Sequence, residues 1–322
     1  MRAMIDALPA NPRITLLAGG VGACRLLRGL AEVVDPRRLT VIVNTGDDES
    51  FYGLQVSPDL DTVAYTLAGL APIKRGWGIR GDTRNALPWL GRYFGDQWFS
   101  LGDQDLALHI YRSHLLREGS SLAQATRRIC TQLGIRTSVL PMSNDPVRTV
   151  LRSGRRRFAF QEWFVKQGAR PRVDGITYKG ASGASMAPGV IEALASADRV
   201  IIAPSNPYVS IAPMLAIPGL RQALAAVCHK TIAVSPLVNG RAVKGPLVAM
   251  MKSLGAGRGS AGIADFYEGL ATSLVVSPGD APRRPEATWP RLLERNTLLD
   301  SKRRSLALAR FLLKIPLEGT DS

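Results

Sequence analysis

The chain has 322 residues, with 41 Lys+Arg against 26 Asp+Glu, a formal charge of +15 with histidine neutral. With 46% apolar and 21% charged residues it can bury a large core, which excludes a disordered chain. Its 31 glycines and 21 prolines follow no period, which excludes collagen-like and low-complexity classes.

The segment Met1–Asn11 holds Arg2 and Asp6 but no apolar run long enough for a signal peptide. Ile14–Leu17 reads as a short apolar strand, and Ala18-Gly19-Gly20-Val21-Gly22 follows it. Cys24, Leu27, Leu30 and Ala31 then recur at helical spacing, and Leu39–Val43 is a β-branched run suited to a strand buried on both faces. Leu106–Arg117 and Leu122–Leu133 read as consecutive amphipathic helices, the second opened by Ser120 or Ser121 as N-cap. Arg157–Val165 and Val173–Tyr178 read as short strands forming a hairpin. Between Arg148 and Lys179 there are nine Lys/Arg and two acids, including Arg155-Arg156-Arg157. They suit a solvated surface or the attraction of an anionic substrate; nucleic acid is disfavoured, because basic residues are otherwise spread along the whole chain.

The alternation then resumes. A helix at about 188–197 precedes the strand Arg199–Ala203, one at 220–227 precedes Thr231–Val234, and one at 263–270 precedes Ser273–Val276. The longest uncharged stretch, Val200–Leu220, contains Pro204, Pro207, Pro213 and Pro218, which break a membrane helix. A last basic amphipathic helix is expected over Leu298–Leu313, packed on the sheet. Cys24, Cys130 and Cys228 are odd in number and far apart, which suits reduced thiols in a cytoplasmic protein. The expectation is an α/β fold: a mostly parallel, doubly wound sheet in a single domain over residues 1–322, with a helical and β insertion at about 80–180.

In such a sheet, ligands bind beyond the carboxyl ends of the strands, where strand order reverses. The loops to read are therefore 18–22, 44–49, 144–146, 204–207 and 235–240. Gly19, Gly20 and Gly22 run into a helix N-terminus, whose free N–H groups and dipole favour phosphate. No Gly-Lys-Ser/Thr follows, and the glycines are not a full dinucleotide fingerprint. Asn44-Thr-Gly-Asp47-Asp48-Glu49 places three acids directly after a buried strand. Ser57-Pro58-Asp59-Leu60-Asp61 reads as N-cap, first-turn proline and two first-turn acids, Asp59 compensating the helix dipole. Clustered carboxylates beside a phosphate loop suit Mg²⁺, a hard cation that takes oxygen ligands and bridges to phosphates. Gly81–Asn85 and Ser100–Asp105 look like helix starts with acidic caps. His109 and His114, five apart, do not share a face and read as ordinary helix residues. Asn206, Asn239 and Lys244 offer amide and cationic groups to a nucleotide.

Taken together, Ala-Gly-Gly-Val-Gly at 18–22, Asn44-Thr-Gly-Asp-Asp48 and Ser57-Pro-Asp-Leu-Asp-Thr62 resemble the 2-phospho-L-lactate transferase family of coenzyme F-420 biosynthesis. Trp77-Gly-Ile-Arg-Gly-Asp82, Leu101-Gly-Asp-Gln-Asp105 and Pro204-Ser-Asn-Pro207 continue the likeness in order. So do Ser235-Pro-Leu-Val-Asn-Gly240 and Lys244-Gly-Pro246, and the likeness spans roughly residues 13 to 280. The resemblance implies a Rossmann-like, Mg²⁺-dependent, commonly dimeric transferase. It would move a phospho-acid (phospholactyl, phosphoenolpyruvyl or phosphoglyceryl) from a guanosine-diphospho-linked donor to the deazaflavin alcohol Fo, releasing GMP. By position it implies Fo contacts from Asp61, Asp103 and Ser100, the last a lysine in some family members. It assigns the guanosine diphosphate to Gly19, Gly20, Gly22, Asn206, Asn239 and Lys244. Asp47 or Asp61 would orient or deprotonate the accepting hydroxyl, while Asp47 and Asp48 would hold Mg²⁺.

A nucleotide-sugar-binding regulator without catalysis shares the glycine-rich start and the Gly81-Asp-Thr-Arg-Asn85 pattern, but the Ser-Pro-Asp-Leu-Asp motif favours the transferase. An NAD(P)-linked oxidoreductase is disfavoured by the incomplete glycine fingerprint, and by Asn44 where a ribose-binding acid would stand.

Overall fold

The computed structural model describes residues 8–95 and 97–317; of the N-terminal segment read above, residues 1–7 lie outside them. In chain order, β1 (Ile14–Ala18) runs into α1 (Gly20–Leu30), and β2 (Leu39–Val43) precedes a small ribbon, Glu49–Phe51 with Leu54–Val56. Four helices follow: α2 (Pro58–Leu67), α3 (Leu87–Phe94), α4 (Asp103–Arg117) and α5 (Leu122–Gln132). Next come β3 (Ser138–Pro141), β4 (Arg148–Ser153), β5 (Arg156–Ala159) and β6 (Gly175–Lys179). The second half alternates: α6 (Val190–Ser196), β7 (Arg199–Ile202), α7 (Leu220–Ala226) and β8 (Thr231–Val234). It closes with α8 (Leu247–Ser253), α9 (Gly259–Tyr267), β9 (Ser273–Val276), β10 (Arg291–Glu294) and α10 (Lys302–Lys314).

Seven strands form one parallel sheet in the order β10-β9-β8-β7-β1-β2-β3. The chain builds outward from β1 through β2 to β3, then returns to the other side of β1 with β7. Strand order therefore reverses between β1 and β7, and a crevice opens at their carboxyl ends. Successive residues serve opposite faces, as a two-residue period requires. Leu17, Ile202 and Val276 pack against α6, α7 and α9, while Leu16, Ile201 and Val275 pack against α1 and α10. This double covering explains why β1, β2, β7 and β8 read as continuous apolar runs.

The sequence reading holds for the strands at 14, 39, 199, 231 and 273. Ser121 closes a full capping box with Gln124, which fixes the start of α5. Four features differ. The expected insertion at 80–180 is divided, because β3 returns to the central sheet at its edge. The expected hairpin between residues 157–165 and 173–178 is instead a three-stranded sheet in the order β5-β4-β6. Residues 162–166 coil into a π-helical turn that buries Trp163, so the apolar run there is a packed turn and not a strand. Gly81–Asn85 begins no helix; the carboxylate of Asp82 accepts from the amides of Gln104 and Asp105 and caps α4. No single helix among the described residues is long and apolar enough to cross a membrane. The uncharged stretch after β7 is bent by 95° between Pro207–Leu215 and Leu220–Ala226.

The basic C-terminal helix is held by an internal cation. Arg199, fully buried at the start of β7, donates both terminal nitrogens to the carbonyls of Leu312 and Ile315. Burial lowers its pKa to about 10, so it stays charged at neutral pH and opposes the helix dipole at the end of α10. Arg199→Met leaves those carbonyls buried without donors. It should lower unfolding free energy by about 2–4 kcal/mol, since hydrogen bonds to a charged group contribute roughly 1.5–3 kcal/mol each. Urea unfolding measures the loss, and a change under 1 kcal/mol would show that the helix docks without this anchor.

Candidate active site

A cavity of about 460 Å³ lies at the carboxyl ends of β1, β2 and β7. Its floor is the glycine loop. Gly20 sits at φ +73°, and a Cβ on Gly22 would stand 2.2 Å from the Pro204 carbonyl oxygen. A side chain at residue 22 would therefore force apart the loops after β1 and β7, which make the reversal point. Arg25 of α1 and Lys244 line the same end of the cavity. Both are tied to one loop, Arg25 through the Lys74 carbonyl and Lys244 through that of Arg75.

The opposite side is acidic. Asp47, Asp59 and Asp61 line the cavity and are buried, and Asp105 and His109 of α4 line it from above. Asn44 organises the first two. Its amide nitrogen donates to Asp47 Oδ1 at 3.2 Å and to Asp59 Oδ2 at 3.0 Å, while its oxygen accepts from the Gly46 amide. Asp59 also accepts from the Gly20 amide at 2.7 Å. It therefore caps α1 across the cavity floor, rather than only compensating its own helix. Burial, then the charge of Asp59, pushes Asp47 well above the usual carboxylate range. Burial raises Asp59 to about 6 against the opposing bonds from Asn44 and Gly20.

Asp61 is held differently. Arg112 of α4, fully buried, grips it with both terminal nitrogens, Nη1 reaching Oδ2 at 3.2 Å and Nη2 bonding Oδ1. Arg112 Nη1 also lies 3.4 Å from His109 Nδ1. On the ring's other side Nε2 lies 3.4 Å from Asp105 Oδ1, which accepts the Tyr65 hydroxyl at 2.6 Å. Burial and the charges of Asp61 and Asp105 raise the Tyr65 phenol far above its ordinary range, so it remains a donor.

The remaining wall is aromatic. Trp77, Trp98, Phe99, Phe160 and Phe164 line it, Phe99 stacked on Phe51 at 3.9 Å and Phe160 on Phe164 at 5.4 Å. Flat apolar rings facing a polar edge suit a planar, partly polar ligand.

Of the residues chosen from sequence, Gly19, Gly20, Gly22, Asp47, Asp61, Ser100, Asn206 and Lys244 line the cavity. Ser100 stands on its rim, its hydroxyl accepting from Arg84 Nε at 2.9 Å. Three residues lie elsewhere. Asp48 is turned behind the wall, where Oδ2 accepts from the Ser57 hydroxyl at 2.6 Å and from Gln55, and Oδ1 has no partner. Burial raises it to about 7. Asp103 accepts from the Thr83 hydroxyl and from the amides of Ala86 and Asn85, which hold it at about 2. It clamps the loop before α3 onto α4 and does not reach the cavity. Asn239 is exposed at φ +51° with Gly240 at +66°, in the tight turn between Leu237–Val238 and Arg241–Ala242. Its residue type answers that turn. Arg155, Arg156 and Arg157 lie on or beside β5, an exposed edge strand away from the cavity, where cations oppose edge pairing.

Sequence reasoning passed over His109 and Arg112. Asp105, His109 and Arg112 follow an i, i+4, i+7 spacing that places all three on one helix face, and Asp61 and Tyr65 are likewise four apart on α2. That pairing of polar stripes was the available signal.

A doubly wound sheet carrying a glycine loop, buried carboxylates and an aromatic wall at its reversal point defines a phosphate-handling α/β enzyme. Residues 14–288 match the family model of 2-phospho-L-lactate transferase CofD, and the chain belongs to that family. It is 43% identical over 249 residues to a phosphoenolpyruvate transferase of Kitasatospora aureofaciens, covering 76% of this chain and 78% of the relative. It is 35% identical over 303 residues to a 2-phospho-L-lactate transferase of Methanosarcina mazei, covering 93% and 99%. The fold is also similar to a crystal structure from Bacillus halodurans, at 17% identity and a TM-score of 0.62 over 94% of this chain and 99% of that one. The protein is accordingly a transferase of the family's type, a phospho-transfer enzyme of coenzyme F-420 biosynthesis.

The buried acids set a pH dependence. A carboxyl raised on folding binds more protons in the native state than in the unfolded one. Its stabilising effect is complete below about pH 4 and disappears as pH rises through the native pKa. For Asp48 that window runs from about 4 to about 7. In metal-free buffer, stability should fall across it by up to about 1.4 kcal/mol per pH unit per group. Asp48→Asn should flatten the slope and raise the unfolding midpoint at pH 8 above wild type. Urea midpoints at pH 5 and 8 check both; a variant less stable at pH 8 would show that the charged form is favoured.

Proposed function

We propose that this enzyme transfers the phospho-acid of a guanosine-diphospho-linked small acid to the terminal ribityl hydroxyl of the deazaflavin Fo, releasing GMP. The hydroxyl oxygen forms a bond to the phosphorus bearing the acid, the bridging P–O bond to GMP breaks, and the hydroxyl proton passes to a carboxylate. The observation that carries this reading is a single cavity joining an aromatic wall to a carboxylate edge and a glycine loop. The wall suits the tricyclic ring, the edge a hydroxyl, and the loop with Arg25 and Lys244 a diphosphate. The relatives' names divide between phosphoenolpyruvate and 2-phospho-L-lactate, so the donor acid is enolpyruvyl, lactyl or glyceryl in this proposal. A cytoplasmic homodimer belongs to the same reading, supported by the unburied face of α3 with Trp89, Tyr93 and Phe94 exposed.

The residues present suit Mg²⁺. Asp47 and Asp59 are two buried hard-oxygen donors sharing one amide, and each is raised in pKa by burial and a neighbouring acid's charge. No group of three or more His, Cys, Asp or Glu able to hold a metal occurs among the described residues. That accords with an ion bound by one or two carboxylates plus substrate phosphates. We place it at Asp47 and Asp59, with Asp48 behind them, in preference to the Asp47–Asp48 pair expected from sequence. When bound, the ion supplies positive charge to the diphosphate as GMP leaves. Asp61, gripped by Arg112, orients the hydroxyl, and the aromatic wall excludes water from it.

The test is incubation with Fo and each guanylated donor, followed by mass detection of GMP and phosphorylated deazaflavin. Asp47→Asn should lower turnover by at least ~100-fold, on the scale of losing a preorganised charge stabiliser. Asp48→Asn should cost less than Asp59→Asn. Chelator should abolish activity, and full activity in chelator would overturn the metal assignment.

A further inference from the structure

We propose that Arg112 is a positioning residue for the transfer, fixing the Asp61 carboxylate and bearing on the His109 ring beside it. The proposal rests on the reading that Asp61 meets the accepting hydroxyl. Arg112 is buried with almost no exposure, on the cavity-facing stripe of α4. A guanidinium has only N–H donors and a planar fork, so its two bonds fix both the place and the plane of the Asp61 carboxylate. The same Nη1 faces His109 Nδ1 at 3.4 Å. A donor at that place requires a lone pair on Nδ1, so the ring proton sits on Nε2. Nε2 lies 3.4 Å from Asp105 Oδ1 without a hydrogen bond to it, and Tyr65 donates to that oxygen. One cation thus sets a cavity-lining carboxylate by direct contact and faces the neighbouring histidine ring with the same nitrogen.

Lysine at residue 112 would keep the charge but lose the fork. Burial would pull the Arg112 charge down, yet Asp61 and Asp48 hold it firmly protonated. Its partners Asp61 and Asp105 line the cavity, and Arg112 itself does not. A purely structural role lowers the folded fraction, which lowers apparent kcat and leaves the KM of both substrates unchanged. A positioning role predicts a loss confined to the acceptor side.

The test uses the full chain with Arg112→Lys, Arg112→Gln and Arg112→Ala. For folded Arg112→Gln, kcat/KM for Fo should fall by ~100-fold, the scale of a misplaced reacting group, with donor KM within about 2-fold of wild type. Arg112→Lys should lie between. Guanidinium at ~10 mM should restore Arg112→Ala by about 10-fold where equal sodium chloride does not, because only guanidinium supplies the planar fork. Unchanged kinetics, or donor and acceptor KM rising alike without rescue, would overturn the proposal.

Nitrogen-15 NMR of the three histidines in folded protein gives a reading independent of turnover. With His109→Gln to identify the signal, wild-type His109 should carry its proton on Nε2, and Arg112→Lys should shift that balance. A proton on Nδ1 in wild type overturns the grip. If wild type transfers nothing to Fo from any donor, the parent reading falls, and the NMR result then decides the grip by itself.

Discussion

Four carboxylates, those of Asp47, Asp48, Asp59 and Asp61, are buried together at the ends of β1 and β2, and the guanidinium buried among them is that of Arg112. Moving ionised groups out of water is costly unless each is paired, bonded or neutralised. The fold meets this constraint by distributing the charge. Asp61 takes the cation, and Asp59 takes the Gly20 amide at the positive end of α1. Asp47 shares the Asn44 amide with Asp59, and Asp48 takes the Ser57 hydroxyl. Asn44 and Ser57 are thus what permits these acids to be buried. Asn44, with no exposed surface, cannot be exchanged for aspartate without adding another carboxylate to the group.

That constraint ties local geometry to the sheet. Ser57 stands at the N-cap of α2, but its hydroxyl makes no cap bond and donates to Asp48. Proline at the first position of α2 lacks an amide that would need satisfying there. The glycine loop approaches the Pro204 carbonyl so closely that α1 and the loop after β7 act as one floor. Local helix stability is given up to place charge at the reversal point, where chain topology leaves a crevice.

Much of this was legible in the sequence because it depends on period and loop chemistry. Buried parallel strands announce themselves as β-branched runs, and Leu39–Val43 and Thr231–Val234 were read at their observed limits. Glycines and acids after such strands pointed to the cavity floor. What was lost required knowing which element faces which. Asp82 and Asp103 both look like caps, and only the packing of α4 against the loop before α3 shows that each satisfies the other's segment. Asn239 carries a turn signal and a ligand signal in the same residue type, and the positive φ decides for the turn. His109 was set aside on its spacing from His114, when its partners were Asp61 across the helix pair and Asp105 one turn earlier.

The cavity is also polarised along its length. Arg25 and Lys244 stand beside the glycine loop, whereas Asp47, Asp61 and Asp105 line the side toward α2 and α4. Both cations are anchored on successive carbonyls, of Lys74 and Arg75, so their positions move together with one loop. Burial and the nearby charge of Arg25 lower the Lys244 pKa, a cost that an anion between them would offset. In the proposed reaction the donor's diphosphate would meet the cationic end and the acceptor's uncharged hydroxyl the acidic end, so the two substrates would be oriented before any reacting atom is engaged. The two bonds from Arg112 use one side of each Asp61 oxygen and leave the remaining lone pairs facing the cavity side free to accept. In-line displacement needs little covalent help beyond this alignment and charge balance, and both follow from where the fold has placed its buried acids.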